Sequence, residues 1–207
     1  MKKQVILCCC NMGASKEKTK YEVADKTMEV SENEFRYPLN AYLQKNITAG
    51  EEAKIVLIAK KDSFNRYEQN IVDFTNEVND INKSIGAKIE IKVLVTDFSF
   101  EKGVHHDLLD AIVDEIDEDS VITADITYGP KDVPIVTFAA LNFAEKYLNC
   151  EVNRILYGKA DFNEFGKPVN NMIWDLSTTY YINSISNKIN CDDPKKARTV
   201  LKKLLSI

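Results

Sequence analysis

Ser120–Leu148 reads SVITADITYGPKDVPIVTFAALNFAEKYL and predicts a buried strand that turns directly into a helix. Val121–Ile126 is short and mainly apolar, which is typical of a strand inside a sheet. After it, Asp132 suits an N-cap and Pro134 suits a first helical turn. The helix then shows an apolar face that begins with Ile135, Phe138, Leu141 and Phe143. This unit predicts an α/β fold.

The turn between this strand and helix is a candidate anion site. The first N–H groups of a helix have no intrahelical partner, and that end of the helix is electropositive. Thr127 adds a hydroxyl and Lys131 adds a cation at the same turn. The alternative is an ordinary strand-to-helix turn that binds nothing, since a fold does not fix a function.

Strands and helices alternate along the rest of the chain, which predicts a mainly parallel sheet covered by helices. The predicted strands are Gln4–Cys10, Lys54–Ala59, Lys88–Val95, Val121–Ile126, Val152–Tyr157 and Met172–Leu176. Tyr21–Val30 is interpreted as a hairpin edge or an irregular excursion. Ligands of such sheets bind beyond the C-terminal strand ends, where the strand order reverses.

The chain is divided into a ligand-binding domain over residues 1–176 and a C-terminal helical segment over 177–207. Two helices are predicted in the second part, Tyr180–Ile189 and Lys195–Ile207. They are interpreted as completing the core, forming a dimer contact, or leading to a further domain.

Composition narrows the classes of function. The 207 residues carry a formal net charge of −5, which argues against broad binding of long DNA or RNA. No apolar run is long enough to span a membrane, so no membrane partner is expected. Three of the five cysteines are consecutive, Cys8, Cys9 and Cys10, and cannot form a disulfide framework. Free buried thiols favour a reducing cytoplasm, and without a CxxC pair we expect no structural metal.

The distribution of charge is more informative than its sum. Lysines follow the predicted C-terminal strand ends, and they are Lys16, Lys18, Lys20, Lys60, Lys61, Lys131 and Lys159. Acidic residues precede strands, at Glu51, Glu52 and Asp114–Asp119. These are opposite edges of a parallel sheet, so we expect a basic rim where a ligand binds. The alternative is ordinary solvation of surface loops.

The loop after the first strand, Asn11–Lys16, is a second candidate for phosphate contact. Ser15, Lys16 and backbone N–H groups are its donors. It lacks the glycine fingerprint of a dinucleotide-binding turn, which argues against a nicotinamide-dependent oxidoreductase. Asp175 has no second carboxylate nearby and is interpreted as a turn or capping residue. His105 and His106 are interpreted as capping or surface residues.

The stretch Asp125–Gly129, DITYG, followed by Pro134 and an alanine-rich helix, resembles a known family. It is similar to the CRISPR-associated Rossmann fold (CARF) domains of type III systems, in the group with an Asp-x-Thr-His-Gly motif. The resemblance extends through most of the chain, including FRYPLNAYL, the pair Lys60-Lys61, and ILYG followed by IWDLS. Tyr128 stands where the group has His, and a tyrosine is not cationic near neutral pH.

This resemblance implies a cytoplasmic homodimer that binds a cyclic oligoadenylate, with cyclic tetra-adenylate favoured, across its two-fold axis. It also implies a ring nuclease that needs no metal or other cofactor, in which a ribose 2′-OH attacks the neighbouring phosphate. The implied ligand-binding residues are Asn11, Met12, Gly13, Ala14, Lys60, Asp62, Ser63, Asp125, Tyr128, Gly129 and Pro130. The implied catalytic residues are Ser15, Lys16, Thr127 and Lys131.

Three other functions remain as alternatives. A receptor would sense the ring without cleaving it and pass the signal to a partner or a further domain. An oxidoreductase is disfavoured by the first loop. A transcription regulator is disfavoured because no helix-turn-helix with a basic face is apparent.

Overall fold

A computed structural model describes residues 2–13, 17–60, 67–97, 101–164 and 168–205. The strands are β1 (Gln4–Cys9), β2 (Glu22–Val23), β3 (Glu52–Lys60), β4 (Lys88–Thr96), β5 (Val121–Asp125), β6 (Glu151–Phe162) and β7 (Pro168–Asp175). The helices are α1 (Pro38–Asn46), α2 (Glu68–Ile85), α3 (Lys102–Asp114), α4 (Val133–Tyr147), α5 (Ser177–Lys188) and α6 (Pro194–Leu204).

One sheet holds all of these strands, in the order β2-β7-β6-β5-β1-β3-β4. Every neighbouring pair is parallel except β6 with β7. The chain runs from β1 outward through β3 to β4, and then returns to β5 on the other side of β1. The prediction of an α/β fold with a mainly parallel, helix-covered sheet is confirmed, and the strand order reverses between β1 and β5.

Helices cover both faces of the sheet, so the central strands are buried on both sides. On one face α1 and α2 bury Tyr42, Leu43 and Phe74 against the sheet. On the other face α3, α4 and α5 bury Ile112, Leu141 and other apolar side chains. We call these the α1 face and the α4 face. This burial on both sides explains why β1 and β3 are almost continuously apolar.

Two predictions about the edge of the sheet are wrong. Tyr21–Val30 does not form a hairpin edge, because its only strand residues, Glu22 and Val23, pair in parallel with β7. The strand predicted over Val152–Tyr157 does not end there. It continues to Phe162 because its second half pairs with β7 as an antiparallel hairpin. Lys159 therefore lies inside β6 and not after a C-terminal strand end.

The C-terminal helices differ in how they pack. Tyr180 of α5 is fully buried on the α4 face. By contrast, none of the described residues of α6 is buried. The predicted helical appendage is thus present, and the boundary at residue 176 stays a prediction. Within the described residues, no helix combines the length and apolar character needed to cross a bilayer.

Candidate functional site

The turn after β5 is closed by the last residue of that strand. The Oδ1 atom of Asp125 accepts hydrogen bonds from the backbone N–H of Thr127, at 2.9 Å, and from the Thr127 hydroxyl. The same hydroxyl accepts from the backbone N–H of Gly158 at 2.7 Å. Asp125 and Thr127 therefore hold the turn in shape and attach it to β6. Their predicted contacts with a ligand stay predictions.

Gly129 lets the turn pass close to β1. Its φ is +100°, in the region that favours glycine, and a Cβ added there would lie 2.6 Å from the Sγ atom of Cys9. No other residue type fits this position without movement of the strand or the turn. Gly129 thus joins the ends of β1 and β5, the two strands that flank the reversal of strand order.

Tyr128 is packed between aromatic and polar groups of the α1 face. Its ring meets that of Tyr37 edge-to-face, with centroids 5.8 Å apart. Burial raises the pKa of the Tyr128 hydroxyl well above its ordinary value, and nearby Tyr21 and Asp125 add to the rise. Tyr128 is therefore a neutral group with a hydroxyl donor throughout the physiological pH range.

The loop after β1 is held by a residue that the sequence did not single out. Asn11 accepts from the backbone N–H of Gly13 at 3.1 Å through its side chain. The Nδ2 atom of Asn70, at the start of α2, donates to the carbonyls of Asn11 and Gly13 at 2.8 and 2.9 Å. Met12 is half-buried and Gly13 is exposed. Ala14, Ser15 and Lys16 lie outside the described residues.

The remaining predicted residues occupy the same sheet edge. Lys60 ends β3, and its Nζ atom lies 5.9 Å from the centre of the Tyr67 ring. Pro130 is half-buried and Lys131 is exposed at the start of α4. Asp62 and Ser63 lie outside the described residues. The fold thus brings the β1 loop and the β5 turn side by side, with Lys60 on the far side of β1.

Burial determines the electrostatics of this edge. It raises the pKa of the Asp125 carboxyl to about 6, although the hydrogen bonds from Thr127 act in the opposite direction. Burial likewise raises the pKa of Cys8 and Cys10, the latter to about 11. A thiol reacts as the thiolate, so these cysteines are packing residues. All five cysteines are described and carry free thiols.

The prediction that Asp132 caps α4 is wrong in its chemistry. Asp132 stands at the N-cap position, but its side chain makes no capping bond. Instead its Oδ2 atom lies 2.6 Å from Nε2 of His105 on α3. No sequence pattern joins residues 27 positions apart in this way.

Asp175 has the predicted turn role and an additional partner. Its Oδ1 atom accepts from the backbone N–H of Ser177 at 2.9 Å, and its other carboxylate oxygen lies 2.5 Å from Arg154. Arg154 also donates to the backbone carbonyl of Thr27 at 3.1 Å. This network joins the irregular segment before α1 to β6 and β7.

At the opposite edge of the sheet the acidic residues are paired with lysines. Lys54 lies 3.0 Å from Asp117 and donates to the carbonyl of Glu115 at 2.9 Å. Lys3 and Lys92 pair with Asp117 and Glu115 at 2.9 and 3.2 Å. Among the described residues no ion pair involves Lys131, which is exposed to solvent.

A comparison with protein-family models found no match. A search among curated proteins also found no significant match. Among the described residues, no group of three or more His, Cys, Asp or Glu side chains is arranged to hold a metal ion.

Proposed function

We propose that this protein binds a cyclic oligoadenylate second messenger, with cyclic tetra-adenylate favoured, and cleaves it as a metal-independent ring nuclease of type III CRISPR defence. The observation that carries the proposal is the position of the DITYGPK turn. This turn and the loop after β1 flank the reversal of strand order, where α/β sheets bind ligands. The resemblance of DITYG to the CARF motif supplies the class of ligand.

The chemistry of the edge suits phosphates. The first N–H groups of α4 and the exposed cation of Lys131 meet at one turn. Gly129 and Gly13 let a ligand approach the backbone of the turn and the loop closely. A cyclic tetra-adenylate carries one charge per phosphate, and a two-fold dimer would present this edge twice.

In the proposed reaction a ribose 2′-OH attacks the adjacent phosphorus and the 5′-oxygen leaves. The attacking hydroxyl loses its proton and the leaving oxygen gains one, so the products end in a 2′,3′-cyclic phosphate and a 5′-OH. Such a reaction depends on in-line geometry and on stabilisation of the phosphate charge. Lys131 and Lys16 are the proposed cations, and Ser15 and Thr127 are the proposed orienting groups.

The test is incubation of the purified protein with cyclic tri-, tetra- and hexa-adenylate in EDTA, with binding and products measured together. We expect tight binding of cyclic tetra-adenylate and linear fragments with 2′,3′-cyclic phosphate ends. Lys131→Ala should weaken binding by about tenfold, since a charge-assisted hydrogen bond contributes about 1.5–3 kcal/mol. Lys146→Ala, at the other end of α4, is the matched control. Neither binding nor products with any ring would overturn the proposal.

A non-catalytic sensor is the second candidate. It is favoured by α6, which exposes its apolar residues, and by the groove of about 390 Å³ between α5 and α6. Such a surface suits a partner that receives the signal. Binding of the ring without any products would select this alternative.

A further inference from the structure

The second half of β6 and its partner in β7 form a hairpin that extends past the C-terminal edge of the parallel sheet. β5 pairs with β6 only as far as Leu156, whereas β6 continues to Phe162 beside β7. We call Tyr157–Phe162 together with the facing part of β7 the arm. It extends from the same edge that carries the candidate site.

The arm has two different faces because successive side chains in a strand alternate. A Cβ added to Gly158 would lie 2.6 Å from Pro38 of α1, and Ile173 opposite it is fully buried on the α1 face. Tyr157 and Lys159 therefore lie on the α4 face.

Tyr157 and Trp174 are direct cross-strand partners, and each ring is 38% exposed. Lys159 completes this face of the arm. Its Nζ atom lies 5.2 Å from the centre of the Trp174 ring and 3.5 Å from Asp161. Two exposed rings beside a cation form a surface on which a base can stack while its phosphate meets the lysine. The ion pair with Asp161 is exposed on both sides and is therefore weak, so a phosphate can replace it.

The arm is joined directly to the candidate site. The backbone N–H of Gly158 donates to the Thr127 hydroxyl at 2.7 Å. Tyr157 and Lys159 are the residues on either side of Gly158, and Trp174 lies one strand spacing, about 5 Å, from Tyr157. A ligand whose phosphate lies at the β5 turn thus has this aromatic surface beside it.

We propose that Trp174 and Tyr157 form a base-stacking platform for an adenine of the bound ring, with Lys159 contacting its phosphate. This inference rests on the proposed function. It adds three residues to the site and gives the edge a means of recognising a base as well as a phosphate.

The sequence contains a single tryptophan, so the intrinsic fluorescence of the protein reports on Trp174 alone. Wild-type protein is titrated with cyclic tetra-adenylate while fluorescence is recorded, and the affinity is measured independently by calorimetry. We expect quenching that saturates at the calorimetric Kd. Trp174→Leu and Tyr157→Leu should each weaken binding about tenfold, and Trp174→Phe should restore most of the affinity because it retains a ring.

The chain offers a matched control at the opposite end of α4. Lys146 lies 5.0 Å from the centre of the exposed Tyr147 ring, which is the same kind of pair at the wrong edge of the sheet. Lys146→Met and Tyr147→Leu should leave affinity within about twofold, whereas Lys159→Met should weaken it and reduce its salt dependence.

The outcomes separate the two proposals. Tight binding of the ring with unchanged fluorescence, and with unchanged affinity in Trp174→Leu, would overturn the platform and leave the proposed function standing. No binding of any ring by the wild-type protein would overturn both. A fluorescence change that follows protein concentration without ligand would assign the surface to a second copy of the chain and overturn the platform. If Trp174→Leu does not fold, the titration of the wild type still decides.

Discussion

At the scale of single residues, Gly129 carries the closest backbone approach of the candidate site. Gly129→Ala adds the strain of a positive φ and a contact with Cys9 at 2.6 Å. We expect it to lower the free energy of unfolding by about 2–4 kcal/mol, the sum of backbone strain and overpacking. Urea denaturation measures the loss.

Gly50→Ala is the matched control for this prediction. Gly50 has a φ of +80° and no atom within 4 Å of an added Cβ. It should therefore show the backbone cost alone, about 1–2 kcal/mol. Equal losses in the two variants would mean that the contact with Cys9 does not constrain the turn.

Asp125 makes stability depend on pH in an unusual direction. Burial raises the pKa of its carboxyl from 3.8 to about 6, so the folded protein keeps this proton to a higher pH than the unfolded chain does. The associated stability is fully present below about pH 4 and is lost as pH rises to about 6, a change of ~3 kcal/mol. Asp125→Asn keeps an acceptor for Thr127 and has no charge to lose.

The measurement is urea unfolding of both proteins between pH 4 and 7. The other carboxyls are common to both, so their contributions cancel in the difference. We expect the stability of Asp125→Asn relative to the wild type to increase with pH across this window. Parallel curves would show that the Asp125 carboxylate is accommodated without cost. A buried charge that opposes stability at neutral pH is typical of a functional position.

At the scale of elements, α1 depends on a carboxylate from α2. No side chain of its own N-cap, Tyr37, caps the helix. Instead Glu77 accepts from the backbone N–H of Arg36 at 3.0 Å and from the Nδ2 atom of Asn40 at 2.8 Å. Glu77→Gln should lower the free energy of unfolding by about 2–3 kcal/mol, because these are buried bonds to a charged acceptor.

Glu68→Gln is the control, since Glu68 is exposed on the same helix. We expect its change in urea denaturation to stay within about 1 kcal/mol, the size of a helix-dipole effect. A loss in Glu77→Gln as small as that in Glu68→Gln would mean that α1 is positioned by its apolar contacts alone.

How far these elements could be predicted depends on the range of the interactions that form them. β1 and β5 are short apolar strands buried on both faces, and their sequences show it directly. The arm of β6 is polar, with Gly158 and Lys159 at its start, and it is a strand only because distant β7 pairs with it. Asn70 looks like any polar residue on a helix until the loop 57 residues away is placed beside it.

At the scale of the whole molecule, the two edges of the sheet differ in how their charges are used. The acidic edge is neutralised internally by Lys3, Lys54 and Lys92. The opposite edge presents Lys60, Lys131 and Lys159 in a chain whose formal net charge is −5. A local cluster of cations in an acidic protein favours a small anion over a long polyanion.

The shared site of a two-fold dimer has a measurable consequence for salt dependence. If one ring lies across the two-fold axis, calorimetry gives one cyclic tetra-adenylate per two chains. Lys131→Ala then removes two phosphate contacts from each bound ring. Each contact contributes about 0.7 to the slope of log K against log salt, so the slope should fall by ~1.4.

A ring held by one chain gives a different pair of numbers. The stoichiometry would then be one ring per chain, and the slope would fall by only about 0.7 in Lys131→Ala. Lys146→Ala should change neither quantity, because Lys146 lies at the other end of α4. Agreement of stoichiometry and slope on the first pair places the β5 turns of two protomers on one ligand, and agreement on the second would overturn the two-fold site.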